Sequence, residues 1–201
     1  MSNRIPDLIL ASQSASRRAM LEAAGVPFAA VAARVDEEAA KAALADLSPR
    51  DLADALAELK ALKIARQVTG ALVLGSDSLV ALADGSRLDK PESREAAAAH
   101  LARMSGGTHE LWSAAVIAEN GTPVWRHVER ARLFVRPLSP GFVESYLDAE
   151  WPAIAGCVGC FRIEGRGVQL FSRVEGSHFT ILGMPLLPVL GYLRERGVMA
   201  G

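Results

Sequence analysis

A carboxylate in the middle of an apolar run marks the first place where this sequence could do chemistry. Asp77 stands in Leu72-Val73-Leu74-Gly75-Ser76-Asp77-Ser78-Leu79-Val80. Burying an ionised carboxyl without a partner is costly, so such a group meets a metal, a cation or a proton. Glu37, in Val35-Asp36-Glu37-Glu38, is a second acidic candidate, although adjacent carboxylates are more commonly a solvated run.

The cations complement them. Arg17 and Arg18 fall in the opening turn of a helix, where the macrodipole is positive and two cations are unfavourable unless an anion relieves them. Ser12, Ser14 and Ser16 bring hydroxyls beside free helix N–H groups, which completes the parts of a phosphate cradle; the alternative is an ordinary solvated helix start. The glycines of a Walker loop or a dinucleotide fingerprint are missing. Of only four lysines, Lys90 precedes Pro91 and is held on extended backbone as a fixed point charge. Lys60 lies in an apolar-patterned helix, from which its ammonium either reaches inward or snorkels to solvent. His109 is a possible base, with no nucleophile nearby for it to activate. Cys157 and Cys160 form a C-x-x-C without the second pair or His-rich tract of a zinc site, so they are expected as small buried side chains.

Positioning these groups falls to a regular series of elements. Leu8-Ile9-Leu10-Ala11 reads as a buried strand, the polar Ser12-Gln13-Ser14 as a turn, and residues 16–24 as a helix stopped by Gly25. Ser48 and Pro49 signal an N-cap and first helical residue, with Leu52, Leu56 and Leu59 at helical spacing and an end near Thr69-Gly70. Residues 72–80 form a strand, and Asp84-Gly85 turns into Arg87-Leu88. A helix over 93–104 follows, then strands over 111–118 and 123–135 joined by Asn120-Gly121, a strong hairpin dipeptide. Ser139-Pro140 opens a helix through Tyr146. A strand over 168–171 and a helix over 185–196 complete the series. Hairpins mixed with strand-helix units predict an α/β fold with a mixed sheet and flanking helices.

The chain has 201 residues, half of them hydrophobic, which is enough for one domain or two closely packed lobes. Lys and Arg number 22 against 23 Asp and Glu, so no global charge draws it to nucleic acid or an acidic membrane. The early apolar stretch is too short for a signal peptide and no run approaches membrane-spanning length. A reducing, cytoplasmic location fits the two unpaired-looking cysteines.

Taken in order, the segments resemble the Maf nucleotide pyrophosphatases over nearly the whole chain. They are Leu8-Ile9-Leu10-Ala11-Ser12-Gln13-Ser14-Ala15-Ser16-Arg17-Arg18, Val35-Asp36-Glu37, Leu56-Ala57-Glu58-Leu59-Lys60-Ala61, Gly75-Ser76-Asp77, Lys90-Pro91, Met104-Ser105-Gly106, Ile163-Glu164-Gly165, Val174-Glu175-Gly176 and Leu182-Gly183-Met184-Pro185-Leu186. Each is short, and their joint order is specific. The resemblance implies an inosine-triphosphatase-like fold, one Maf-like domain over 1–201 with two lobes around a cleft, and a homodimer. It implies a divalent cofactor, Mg²⁺ or Mn²⁺, and a nucleoside triphosphate cut between its α and β phosphates. Carried over position by position, Ser12, Arg17, Arg18, Lys60 and Lys90 hold phosphates, while Glu37 and Asp77 serve the metal and the attacking water, with Asp77 as proton acceptor.

Base choice is written less clearly. Members acting on thymidine and uridine triphosphates carry arginine before Arg17, and those acting on 7-methylguanosine triphosphate carry tryptophan; this chain has Ser16. Ser78 replaces the threonine or glutamine that accompanies those two classes. Glu164 matches the 7-methylguanosine class, and a carboxylate can accept both adjacent N–H donors of a guanine. It could equally pair with Arg162 or Arg166 at the surface. A nucleotide-binding regulator of cell division is the alternative from another class, but the retention of Glu37, Asp77 and the lysines favours catalysis.

Overall fold

The computed structural model describes residues 7–200. They build a seven-stranded sheet with hydrogen-bonded order β2-β1-β3-β5-β6-β7, in which β1 is Leu8–Leu10, β2 Ala29–Ala30, β3 Leu72–Leu82, β5 Thr108–Glu119, β6 Thr122–Val135 and β7 Phe171–Glu175. β4 (Arg87–Leu88) pairs with β3. β1 runs parallel to both β2 and β3, whereas β3 with β4 and β6 with β7 are antiparallel. The mixed α/β sheet expected from the alternation of hairpins and strand-helix units is therefore present. No described helix is long and apolar enough to cross a membrane.

Two compact units are distinguished. The first takes the chain through Ser78, Ser113–Glu129 and Leu182 onward; the second takes Leu79–Trp112 and Arg130–Ile181. In the first, α1 (Ala15–Ala23) is capped by Ser14, and α3 (Pro49–Ala65) by Ser48 with Pro49 in its opening turn, as the sequence signals require. α3 buries Leu52, Leu56, Ala57, Lys60, Ala61 and Ile64, one face of the helix, and ends four residues before the expected Thr69. The two-residue turn at Asn120-Gly121 has positive φ at both positions, 50° and 78°, which is what a type I′ hairpin demands. α7 (Leu186–Glu195) closes the chain.

Gly75 sets how close α3 comes to β3. A Cβ there would stand 2.2 Å from the Ala57 carbonyl oxygen and 2.6 Å from the Ala61 backbone nitrogen, both in α3. Gly75→Ala is therefore expected to push helix and strand apart and lower stability by about 1–3 kcal/mol, as overpacking does. Urea unfolding of the two proteins measures it. An unchanged midpoint would mean that the approach is not tight.

The second unit holds α4 (Arg94–Met104) against α5 (Pro140–Glu150), tied by Arg94 to Glu144 at 2.9 Å and Asp148 at 2.6 Å. Tyr146 donates from α5 to the Cys160 carbonyl at 3.1 Å. Cys160 is buried and Cys157 partly so, both free thiols, in line with their reading as small packed side chains. The expected strand over 168–171 is a correction: Arg166–Leu170 is a 3-10 turn and the strand begins at Phe171. Gly167 explains it, because a Cβ there would meet the Arg162 carbonyl oxygen at 2.5 Å, and Val168 is 54% exposed where a buried strand would have enclosed it. Two short helices, α2 (Glu37–Ala43) and α6 (His178–Ile181), were not expected. α2 buries none of its residues, so no apolar stripe announces it.

Candidate active site

Alternation along β3 distributes the chemistry of the first unit to two faces. Successive strand residues point to opposite sides. Gly75 and Asp77 share the side on which α3 packs, and Lys60, flanked in the helix by Ala57 and Ala61, comes down onto it. Lys60 Nζ lies 2.5 Å from Asp77 Oδ1 and 2.8 Å from Glu37 Oε1. Lys60 is 7% exposed and Asp77 6%, so this ammonium-carboxylate contact is largely shielded from water. Lys60 therefore turns inward, on a helix whose close approach to β3 the lack of a Gly75 side chain permits.

Ser76 and Ser78 occupy the other side. Both hydroxyls donate to the Gly183 carbonyl at 3.1 Å. The same oxygen accepts from Arg17 Nε at 2.8 Å. Arg17 also directs Nη2 to Ser78 Oγ at 3.1 Å and Nη1 to Ser12 Oγ at 3.5 Å, and Ser78 lies 2.8 Å from Ser113 Oγ. A consistent proton assignment has Ser78 accept from Arg17 and Ser113 while donating to Gly183. Three of the five guanidinium N–H groups thus go to acceptors within the protein. Burial pulls the Arg17 guanidinium below its ordinary value, and the charges of Asp77 and Glu37 oppose that shift.

The other expected residues are placed as follows. Ser14 caps α1 and hydrogen-bonds Ser12 Oγ through its N–H at 3.1 Å; its own Oγ is 2.9 Å from Ser16 Oγ. Arg18 is exposed on α1, so of the arginine pair it is the one facing solvent. Lys90 and Glu164 lie in the second unit, both exposed. Arg162, one surface partner considered for Glu164, gives Nε and Nη2 to Glu150 at 3.0 and 2.8 Å instead. His109 is buried between Phe161 and Phe171, with no catalytic candidate among its aromatic neighbours. Ser76, Ser113 and the Gly183 carbonyl escaped the sequence reading. A backbone carbonyl carries no signal in its residue type, and the serines were legible only as strand residues.

The fit of a divalent cation is tested by what already stands between the carboxylates. Asp77 and Glu37 converge on one ammonium, a positive stand-in at the point where a metal would need them. Among the described residues no group of three or more His, Cys, Asp or Glu could hold a metal. Two carboxylates are nevertheless the usual protein share for Mg²⁺ at a phosphate-transfer site, where water and substrate phosphates supply the rest.

The model of Maf-like proteins matches residues 7–196. The chain belongs to the Maf family. Among Maf relatives, a nucleoside triphosphate pyrophosphatase of Sphingopyxis alaskensis is 55% identical over 193 residues, covering 95% of this chain and 98% of that protein. One of the same description from Ruegeria pomeroyi is 52% identical, covering 96% and 97%. A 7-methyl-GTP pyrophosphatase of Rhizobium meliloti is 48% identical over 197 residues, covering 96% and 98%.

Proposed function

We propose that this Maf protein hydrolyses nucleoside triphosphates at the α–β bond, giving nucleoside monophosphate and pyrophosphate. The observation that carries the reading is the buried contact of Lys60 with Asp77 and Glu37: a base, a second carboxylate and a cation gathered at one point of the first unit. The Maf relatives described as nucleoside triphosphate pyrophosphatases support the choice of substrate.

Hydrolysis needs a positioned water, a proton acceptor and cations for the departing charge. Asp77 orients the water and takes its proton through Oδ2, the carboxylate oxygen that Lys60 does not engage. The water oxygen bonds to the α phosphorus as the bond to the bridging oxygen breaks, and pyrophosphate departs with the electron pair. Lys60 and Arg18 of the first unit hold the phosphates, a role that the family resemblance also gives Ser12, Arg17 and Lys90, and the bonds of Arg17 to Ser12, Ser78 and Gly183 brace α1, the helix that carries Arg18. Mg²⁺ or Mn²⁺ held by Glu37 and Asp77 would neutralise charge on the phosphoryl oxygens.

Glu164 favours a guanine-type base, including 7-methylguanine, whose positive charge adds attraction to a carboxylate. It forms no ion pair among the described residues, and the Rhizobium relative carries that specificity in its description. Thymidine or uridine triphosphate is the alternative. A homodimer in the cytoplasm belongs to the same reading through the family resemblance and the free thiols.

Incubation with a panel of standard and 7-methylated triphosphates tests the proposal. Monophosphate and pyrophosphate are the expected products, with turnover lost in chelator and restored by Mg²⁺ or Mn²⁺. Diphosphate and orthophosphate would show the wrong bond, and chelator-resistant turnover would remove the metal.

A further inference from the structure

We infer that Lys60 is a resident cation that holds Glu37 and Asp77 together until a divalent ion takes its place, and that this exchange frees the lysine for the phosphates. The inference rests on the reading of the two carboxylates as metal ligands. It adds a consequence of the geometry which that reading does not contain, namely that lysine and metal compete for the same oxygens.

Two carboxylates aimed at one point repel each other unless positive charge stands there. Lys60 Nζ stands there, in contact with an oxygen of each. With Lys60 and Asp77 both buried, little water is available to screen the carboxylates in its place. The ammonium therefore keeps the pair convergent. It also blocks the gap, since two cations do not share one space between the same two oxygens.

The three groups differ in freedom. Asp77 is fixed in the interior of β3, and Lys60 hangs on a flexible four-carbon stem. Glu37 begins α2, a seven-residue helix with no buried residue, and its side chain is 34% exposed. Exchange is therefore a matter of rotating Lys60 out and adjusting Glu37, with the strand unmoved. A lysine that had left the carboxylates would be free to reach the phosphate oxygens, and with a metal held by Glu37 and Asp77 the site would then have two cations for the substrate.

Competition makes an unusual prediction: deleting a positive charge that is expected to assist turnover should tighten metal binding. Mn²⁺ titration without nucleotide, read from the electron spin resonance of free Mn²⁺, compares the parent with Lys60→Met. Affinity should rise at least tenfold, and the variant's Tm should be lower than the parent's without metal and recover when Mn²⁺ is added. Equal or weaker Mn²⁺ binding by Lys60→Met overturns the inference. Asp77→Asn serves as the separate check on the underlying reading. Should that variant bind Mn²⁺ as the parent does, the carboxylates are not the metal site at all, whatever Lys60 does.

The unmodified protein gives an independent answer should Lys60→Met not fold. Reductive methylation, with modified peptides quantified by mass spectrometry, reports the accessibility of each lysine. Mn²⁺ should raise the rate at Lys60 several-fold while Lys41 and Lys63 keep theirs. Unchanged labelling of Lys60 under saturating Mn²⁺ would show that the ammonium stays in place and would overturn the exchange.

Discussion

Asp77→Asn is expected to lower turnover by about 10²–10⁴-fold, the range lost with a general base. Asparagine nearly conserves the volume and shape of the side chain, so packing beside Gly75 on β3 is retained. What goes is the negative charge and the proton acceptor at Oδ2. Removing one member of a buried ion pair is ordinarily severe, because it strands the other charge. Here Lys60 keeps Glu37 at 2.8 Å, and the amide oxygen can still accept from Nζ. Stability should therefore suffer much less than catalysis. Measuring kcat at saturating triphosphate alongside the thermal midpoint separates the two. A variant within a few-fold of the parent in kcat would remove Asp77 from the chemistry, and a collapse of the midpoint would reassign it to structure.

Asp77 was legible in the sequence because a charge in the centre of an apolar strand contradicts its surroundings and demands a partner. The partner was not legible. Lys60 sits in a helix whose pattern allows an inward or an outward lysine, and it is the packing of α3 on β3, close because Gly75 has no side chain, that turns it inward. Arg17 and Arg18 show a similar limit. Their place in the first turn of α1 follows from the Ser14 cap, and both look equally poised for an anion. Which of the two faces inward depends on the Gly183 carbonyl, 166 residues away along the chain. Such a contact belongs to tertiary packing and leaves no trace in local composition.

The elements divide along the same line. α1, α3, β3 and the Asn120-Gly121 hairpin carry caps, periodic apolar residues or obligatory turn residues, and each was found where those signals put it. α2 carries only a cap: Asp36 accepts from the Ala39 N–H at 2.9 Å, but no apolar face follows. The Val168-Gln169-Leu170-Phe171 run has the composition of a strand. The tight backbone around Gly167 overrides it, and β7 starts one turn later.

His109 provides the second large expected effect, on stability against acid. Its side chain is buried beside Phe161 and Phe171, at centroid distances of 6.1 and 6.0 Å, and neither ring nitrogen has a hydrogen-bond partner among the described residues. Burial pushes the imidazole down to about 4. The unfolded ring protonates near its ordinary value of about 6.5. Between these two values the unfolded chain binds the proton that the folded chain refuses, so stability falls as pH falls. The contribution is complete above the unfolded value and is lost as pH drops toward about 4. A difference of about 2.5 pH units at about 1.4 kcal/mol each amounts to about 3.5 kcal/mol in full, of which about 3 kcal/mol is lost by pH 4. Aspartates and glutamates titrate toward the lower end of the same window, so the informative quantity is a difference between proteins. His109→Leu removes the titrating ring and, with it, two buried polar atoms that have no hydrogen-bond partner among the described residues, a change that can be neutral or stabilising at pH 7. Urea unfolding of both proteins from pH 7 to pH 4 should show the parent losing about 3 kcal/mol more than the variant. Parallel curves would mean that the ring protonates in place, and that its burial does not hold the proton off.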